Sequence, residues 1–151
     1  MIKIREMGFE GLTLENGASI YETVGSQSGA DGRFKYRVTT RFISDKRFEN
    51  FETAWAYAQK APFQNREEAV QACKEARENG VASGEGVLIA GIVNHRLALK
   101  NGATVYRVDG GYARGTFRFI VRSSDKDYER PLRFLDWKSA WAYAQRAPFS
   151  N

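Results

Sequence analysis

The sequence predicts an α+β fold made by tandem duplication of one unit, an antiparallel sheet followed by a helix. Three observations carry that prediction. Ala54-Trp55-Ala56-Tyr57-Ala58-Gln59-Lys60-Ala61-Pro62-Phe63 returns as Ala140-Trp141-Ala142-Tyr143-Ala144-Gln145-Arg146-Ala147-Pro148-Phe149, with only Lys60 exchanged for Arg146. An Asn-Gly pair between apolar residues stands upstream of each copy, at Asn16-Gly17 and Asn101-Gly102. Between these markers, aromatic and β-branched residues recur at every second position. Internal repetition outranks local signals, because each copy is one supersecondary unit that buries its apolar face against its twin.

The leading strand of each unit is expected at Ile2 and Ile4 and in the run Val87-Leu88-Ile89-Ala90-Gly91-Ile92-Val93, the second being the more completely buried. Asn-Gly flanked by Leu12-Thr13-Leu14 and Ala18-Ser19-Ile20-Tyr21, or by the aligned Leu97 to Tyr106, predicts a tight hairpin with a type I′ turn. Gly32 to Val38 and Gly115 to Val121 then read as half-buried strands. Phe34, Tyr36 and Val38 face the core and Lys35, Arg37 and Thr39 face away, while Phe117, Phe119 and Val121 oppose Arg118, Ile120 and Arg122. A last strand is expected at Lys46 to Glu49 and Leu132 to Leu135.

Asn50 and Asp136 precede the repeated helix as N-caps, and Pro62 and Pro148 close it. Phe51, Ala54, Trp55 and Ala58 share one helical face, as do Trp137, Ala140, Trp141 and Ala144, so both tryptophans belong to the core. Tyr57, Tyr143, Gln59 and Gln145 flank that face and are expected to join the two halves, the alternative being that they line a paired ligand surface. One linking helix begins at Asn65-Arg66-Glu67-Glu68 and stops at Asn79-Gly80, with Ala69, Ala72, Cys73 and Ala76 on its narrow apolar side. Residues 1–63 are thus the first repeat, 64–86 a linking helix with a flexible joint, and 87–151 the second repeat. The whole is expected to be one compact domain with a pseudo-twofold axis.

Composition narrows the functional classes. A hydrophobic content of 42% supplies a core, yet no apolar run approaches the twenty residues that a membrane-spanning helix needs. Charges within Met1 to Arg5 interrupt what a secretory leader keeps apolar, and Cys73 alone makes no internal disulfide; a cytoplasmic protein is expected. Net charge is +5 and uneven: residues 87–151 hold eleven Lys/Arg against five Asp/Glu, whereas residues 1–63 hold nine against eight. His95, the only histidine, has neither a nucleophile nor a metal-ligating cluster to work with, so neither enzyme chemistry, a metal nor a cofactor is expected. No glycine-rich run precedes a helix with a Lys-Ser/Thr partner, which sets aside a phosphate loop.

The remaining signal is basic residues interleaved with aromatics along strands. Lys35, Arg37 and Arg41 in the first copy, and Arg107, Arg114, Arg118 and Arg122 in the second, are candidate phosphate contacts. A sheet face of that kind holds a sugar-phosphate backbone while neighbouring rings stack on bases. Strands followed by one helix, present twice, are similar in outline to PUR-type nucleic-acid-binding repeats and, more loosely, to integrase-arm DNA-binding units; no residue-level motif accompanies the likeness. The expected function is non-enzymatic binding of nucleic acid. The alternative is a protein-binding inhibitor or accessory module that docks on a partner enzyme, motivated by the unequal charge of the halves.

Overall fold

Alternating apolar residues need a second layer to cover them, and here each sheet finds that layer in its own helix and in the opposite sheet. A computed structural model describes residues 1–41, 43–108, 118–123 and 132–147. The first sheet is a meander of β1 (Ile4–Met7), β2 (Gly11–Leu14), β3 (Ser19–Glu22), β4 (Tyr36–Thr40) and β5 (Ile43–Phe48), each strand antiparallel to the next. The helix α1 (Phe51–Gln59) follows, and then α2 (Arg66–Asn79). The second sheet repeats the order with β6 (Ile89–Val93), β7 (Arg96–Leu99), β8 (Ala103–Arg107), β9 (Phe119–Ser123) and β10 (Leu132–Phe134), followed by α3 (Trp137–Ala144). The fold is therefore α+β, with two similar five-stranded antiparallel sheets and three helices among the described residues.

The helices form where local chemistry starts them. Asn50 accepts a hydrogen bond from Thr53 N at 2.9 Å, Asp136 from Ser139 N at 2.7 Å, and Asn65 from Glu68 N at 2.8 Å. Each satisfies a backbone donor that the first helical turn leaves unpaired. That bond holds the Asp136 carboxyl below its ordinary range. The expected faces are buried: Phe51, Ala54, Trp55 and Ala58 on α1, Trp137, Ala140, Trp141 and Ala144 on α3, and Ala69, Ala72, Cys73 and Ala76 on α2.

Ring contacts repeat between the halves. Tyr36, Phe51 and Trp55 form a ladder with centroid separations of 5.8 and 6.0 Å, and Phe119, Trp137 and Trp141 form its counterpart at 5.7 and 5.4 Å. Phe48 meets Tyr57 at 5.3 Å as Phe134 meets Tyr143 at 5.4 Å. Offset and edge-on aromatic pairs each add about 0.5–1.5 kcal/mol beyond the area they bury.

The two halves share one continuous core. Between the sheets β1 touches β8, β2 touches β7 and β3 touches β6; α1 lies on β3, β4 and β5 and reaches β6, while α3 lies on β8, β9 and β10 and reaches β1. The segment read as a flexible joint is a structural bridge instead. Glu85 there accepts from Ile4 N at 2.8 Å through Oε1 and from the Trp141 indole N–H through Oε2. Gly86 is buried against Trp55, and a Cβ on it would stand 2.5 Å from the ring. Glycine and serine in the segment suggested looseness, but the glycine serves close approach.

Other expectations are corrected. Gly84–Leu88 forms a 3₁₀ turn, so the second leading strand begins only at Ile89, and Val87, Leu88 and Val93 are exposed rather than deeply buried. Phe34 precedes β4 and is only partly buried, with the Arg33 guanidinium 4.6 Å from its centroid. Tyr57 and Gln59 do not join the halves: Tyr57 packs on Phe48 and Phe63, and Gln59 exchanges two hydrogen bonds with the backbone of Ile2 in its own half. Phe117 and the closing prolines' partner Pro148 lie outside the described residues.

The Asn-Gly turns also differ from the expected I′ form. Positive φ falls on Gly17 (91°) and Gly102 (95°) but on neither asparagine, and Gly17 N donates to Leu14 O at 3.0 Å as Gly102 N does to Leu99 O at 3.1 Å. This is a turn closed by a left-handed glycine, the three-residue hairpin arrangement. Its asparagine is thereby freed for the helix: Asn16 Nδ2 donates to Ala58 O at 2.8 Å and Ala61 O at 3.0 Å, and Asn101 Nδ2 donates to Ala144 O at 2.9 Å. Each turn thus satisfies carbonyls at the C-terminus of its own helix. A two-residue turn with positive φ at both positions occurs instead at Asn94 (51°) and His95 (63°).

Asn16→Ala and Asn101→Ala each remove this tie and are expected to lower stability by about 1 kcal/mol, since the helix-end carbonyls lose a side-chain donor while Ala58 O and Ala144 O keep backbone ones. Urea denaturation measures the loss, and an unchanged midpoint in both variants would refute the assigned role.

Candidate nucleic-acid interface

The faces of the two sheets that point away from the core carry the candidate residues, and pairing register decides which of them meet. On the first sheet Tyr21, Arg37 and Arg47 lie in one row across β3, β4 and β5. The Arg37 guanidinium sits 4.5 Å from the Tyr21 ring centroid, and its Nη1 is 2.9 Å from Asp45 Oδ2. That arginine is locally neutralised. Lys35 is exposed just ahead of β4, its N–H donating to Phe48 O at 3.0 Å. Arg41, beyond the end of β4, lines a separate recess with Thr39, Thr40, Gly17 and Pro62.

The second sheet concentrates positive charge around one ring. Pairing of Leu97 with Val105 brings Arg96 alongside Tyr106, while Thr104 pairs with Arg122 and Tyr106 with Ile120. Arg96 lies 4.7 Å and Arg122 5.8 Å from the Tyr106 centroid. Ile120 in turn pairs with Arg133 of β10, and alternation puts the exposed Arg118 on this same face. None of the ion pairs formed among the described residues involves Arg96, Arg118 or Arg122. The aligned positions on the first sheet differ: Gly11 stands for Arg96 and Thr39 for Arg122. Arg37, Arg107 and Arg122 each keep a buried Nε without a hydrogen-bond partner, in keeping with guanidinium planes laid on rings rather than turned toward acceptors.

Arg107 is not part of this group. It shares the inner direction with Val105 and Phe119, lies 5.0 Å from the Phe9 centroid and 5.9 Å from that of Phe119, and reaches Glu6 Oε1 with Nη1 at 2.9 Å. It ties the second half to the β1–β2 turn of the first. Glu22, its aligned residue, accepts from the His95 N–H in the β6–β7 turn at 2.8 Å. Arg114 lies outside the described residues. Of the candidates, Arg118 and Arg122 therefore share a face, Lys35 and Arg37 share another, and Arg107 belongs to the contact between halves.

Arg96 and Tyr106 were missed by the sequence reading, although the alternation Arg96-Leu97-Ala98-Leu99 marks Arg96 as outward. The titratable side chains buried elsewhere are poorly disposed to react. Burial pushes the Tyr57 hydroxyl up to about 12, with Cys73 adding to the shift and the Thr40 hydroxyl opposing it. Burial likewise raises the Cys73 thiol, against the pull of Arg77 and Lys46, and a protonated thiol is a weak nucleophile. Among the described residues no cluster of three His, Cys, Asp or Glu side chains is placed to hold a metal ion, and no helix is long and apolar enough to cross a membrane. Comparison of the chain with protein-family models, curated proteins and solved structures gives no match.

These placements separate structural from available arginines. Arg107→Ala is expected to lower stability by about 1–2 kcal/mol through lost ring contacts and stem burial, whereas Arg96→Ala stays within about 0.5 kcal/mol of the parent. Equal losses for the two variants in urea denaturation would contradict the assignment.

Proposed function

We propose that this chain is a non-enzymatic nucleic-acid-binding protein, and that the outer face of its second sheet takes a single strand. The observation that carries the reading is Tyr106 flanked by Arg96 and Arg122 on a face that also bears Arg118 and Thr104. Guanidinium groups neutralise phosphates, while rings and guanidinium planes offer stacking surfaces that tolerate any base. Lys35 and Arg37 on the first sheet form a weaker second patch, because Asp45 already pairs with Arg37.

We further read the halves as related by a pseudo-twofold axis within one compact domain. Exchange of partners supports it: β1 with β8 mirrors β3 with β6, and α1 on β6 mirrors α3 on β1. Such symmetry would set the two outer faces on opposite sides of the core, so a strand would engage one sheet at a time. A cytoplasmic location fits the free Cys73.

Fluorescence anisotropy with labelled single-stranded DNA and RNA tests this reading. Affinity is expected to fall linearly with the logarithm of salt concentration, and Arg96→Ala or Arg122→Ala to reduce the slope by roughly 0.7 each, one phosphate contact on a single strand. Tyr106→Ala is expected to cost about 1–3 kcal/mol of binding with little change in slope. Absence of binding to either nucleic acid, or binding indifferent to salt, would remove the proposal.

A further inference from the structure

Among the described residues the repeated helix is covered by α2 in the first half and by no further helix in the second, so one sequence serves as its own control. In the first half α2 lies on α1 and β5. Its Ala69, Ala72, Cys73 and Ala76 are buried, Tyr57 is fully buried, and the chain at Gly80 comes against the methyl of Ala56. Lys46, which points to the inner side of β5 opposite Val38, is half-buried there. Lys60 at the end of α1 pairs with Glu75 of α2 at 2.8 Å.

Among the described residues, the corresponding positions in the second half are more open or equally open. Ala142, aligned with Ala56, is exposed, and Tyr143, aligned with Tyr57, is only partly buried. Leu132 stands where the first half has Lys46; it points inward opposite Val121 yet remains 45% exposed. Leu135 replaces Glu49 and is 58% exposed. Arg146, aligned with Lys60, is also exposed. Exchange of two charged residues for leucines beside that helix flank is the reverse of what solvent favours.

We propose that this open flank of α3 and β10 docks an acidic amphipathic helix of a partner protein. The occupant would present a stripe of small residues at the spacing of Ala69, Ala72, Cys73 and Ala76, and a carboxylate where α2 has Glu75. Small residues let the helix lie close on Ala142 and Tyr143, Leu132 and Leu135 bury against its apolar edge, and the carboxylate pairs with Arg146. A second copy of this chain fits less well, because an isologous contact of this flank sets like against like: it supplies Arg146 but no carboxylate at the place that Glu75 takes on α2. The surface is separate from the Arg96, Tyr106 and Arg122 face, which lies on the other side of the second sheet.

The probe is a capped peptide of residues 64–80, the protein's own example of such a helix, titrated into the intact 15N-labelled chain. Saturable binding is expected, with shifts confined to β10 and α3. Arg146→Glu is expected to weaken it about two- to fivefold, the usual worth of an exposed ion pair, and a peptide carrying Glu75→Lys to restore the affinity of that variant. Leu132→Lys, which installs the first half's residue, is expected to weaken binding while leaving the spectrum of the free chain native. The proposal is overturned by absence of saturable binding at millimolar peptide, by shifts on α1 and β5 instead, by failure of the charge swap to restore affinity, or by sedimentation of the free chain as a dimer with β10 and α3 protected.

Discussion

Two indole-bearing helices must leave water, and each is covered in part by the other half. Each helix lies on three strands of its own sheet and completes its burial on the first strand of the other, α1 on β6 and α3 on β1. Glu85 fastens this exchange, because one carboxylate serves both the Ile4 amide at the start of the first sheet and the Trp141 indole of the second half. A half-buried carboxylate with both oxygens engaged by N–H groups makes the stronger, charge-assisted kind of hydrogen bond. Trp55 lacks such a partner for its indole N–H, and Gly86 packs closely against its ring. The repeated helices are thus alike in shape and aromatic neighbours and unlike in polar support.

That difference shows how duplication divides labour once the core is secured. The inner positions are retained between copies: Tyr36 and Phe119, Phe51 and Trp137, Trp55 and Trp141 keep the same ring ladder. Positions outside that ladder diverge freely. Gly11 and Thr39 give way to Arg96 and Arg122, Glu22 to Arg107, and Lys46 to Leu132. Positive charge accordingly gathers around Tyr106 on one side of the second half, and apolar surface around Leu132 on the other. A single scaffold then presents two chemically distinct faces without altering the layer that folds it.

Much of this was legible from local rules. The caps at Asn50, Asp136 and Asn65, the buried faces of all three helices and the alternation along β4 follow from chemistry within a few residues of each position, whereas Ile120 on β9, expected to face away from the core, is buried. Features that depend on the meeting of the halves were not legible. Arg107 reads as one more outward cation until Phe9 and Glu6 from the other repeat are beside it. The joint around Glu85 looks loose because nothing in its own sequence announces Trp55, Trp141 or Ile4 as neighbours. The Asn-Gly turns failed for a related reason: the hairpin signal was right, but the asparagine amide is claimed by helix carbonyls far along the chain, and only the glycine takes positive φ.

The central claim is that neither half keeps its fold without the other. Native-state hydrogen exchange, followed residue by residue by NMR, tests it most directly through the amides of Leu12 and Ile20 in the first sheet and Leu97 and Val105 in the second. The account predicts that these four amides open with one common free energy, equal to that of global unfolding. Protection that separates into two levels, with one sheet opening while the other stays closed, would contradict it.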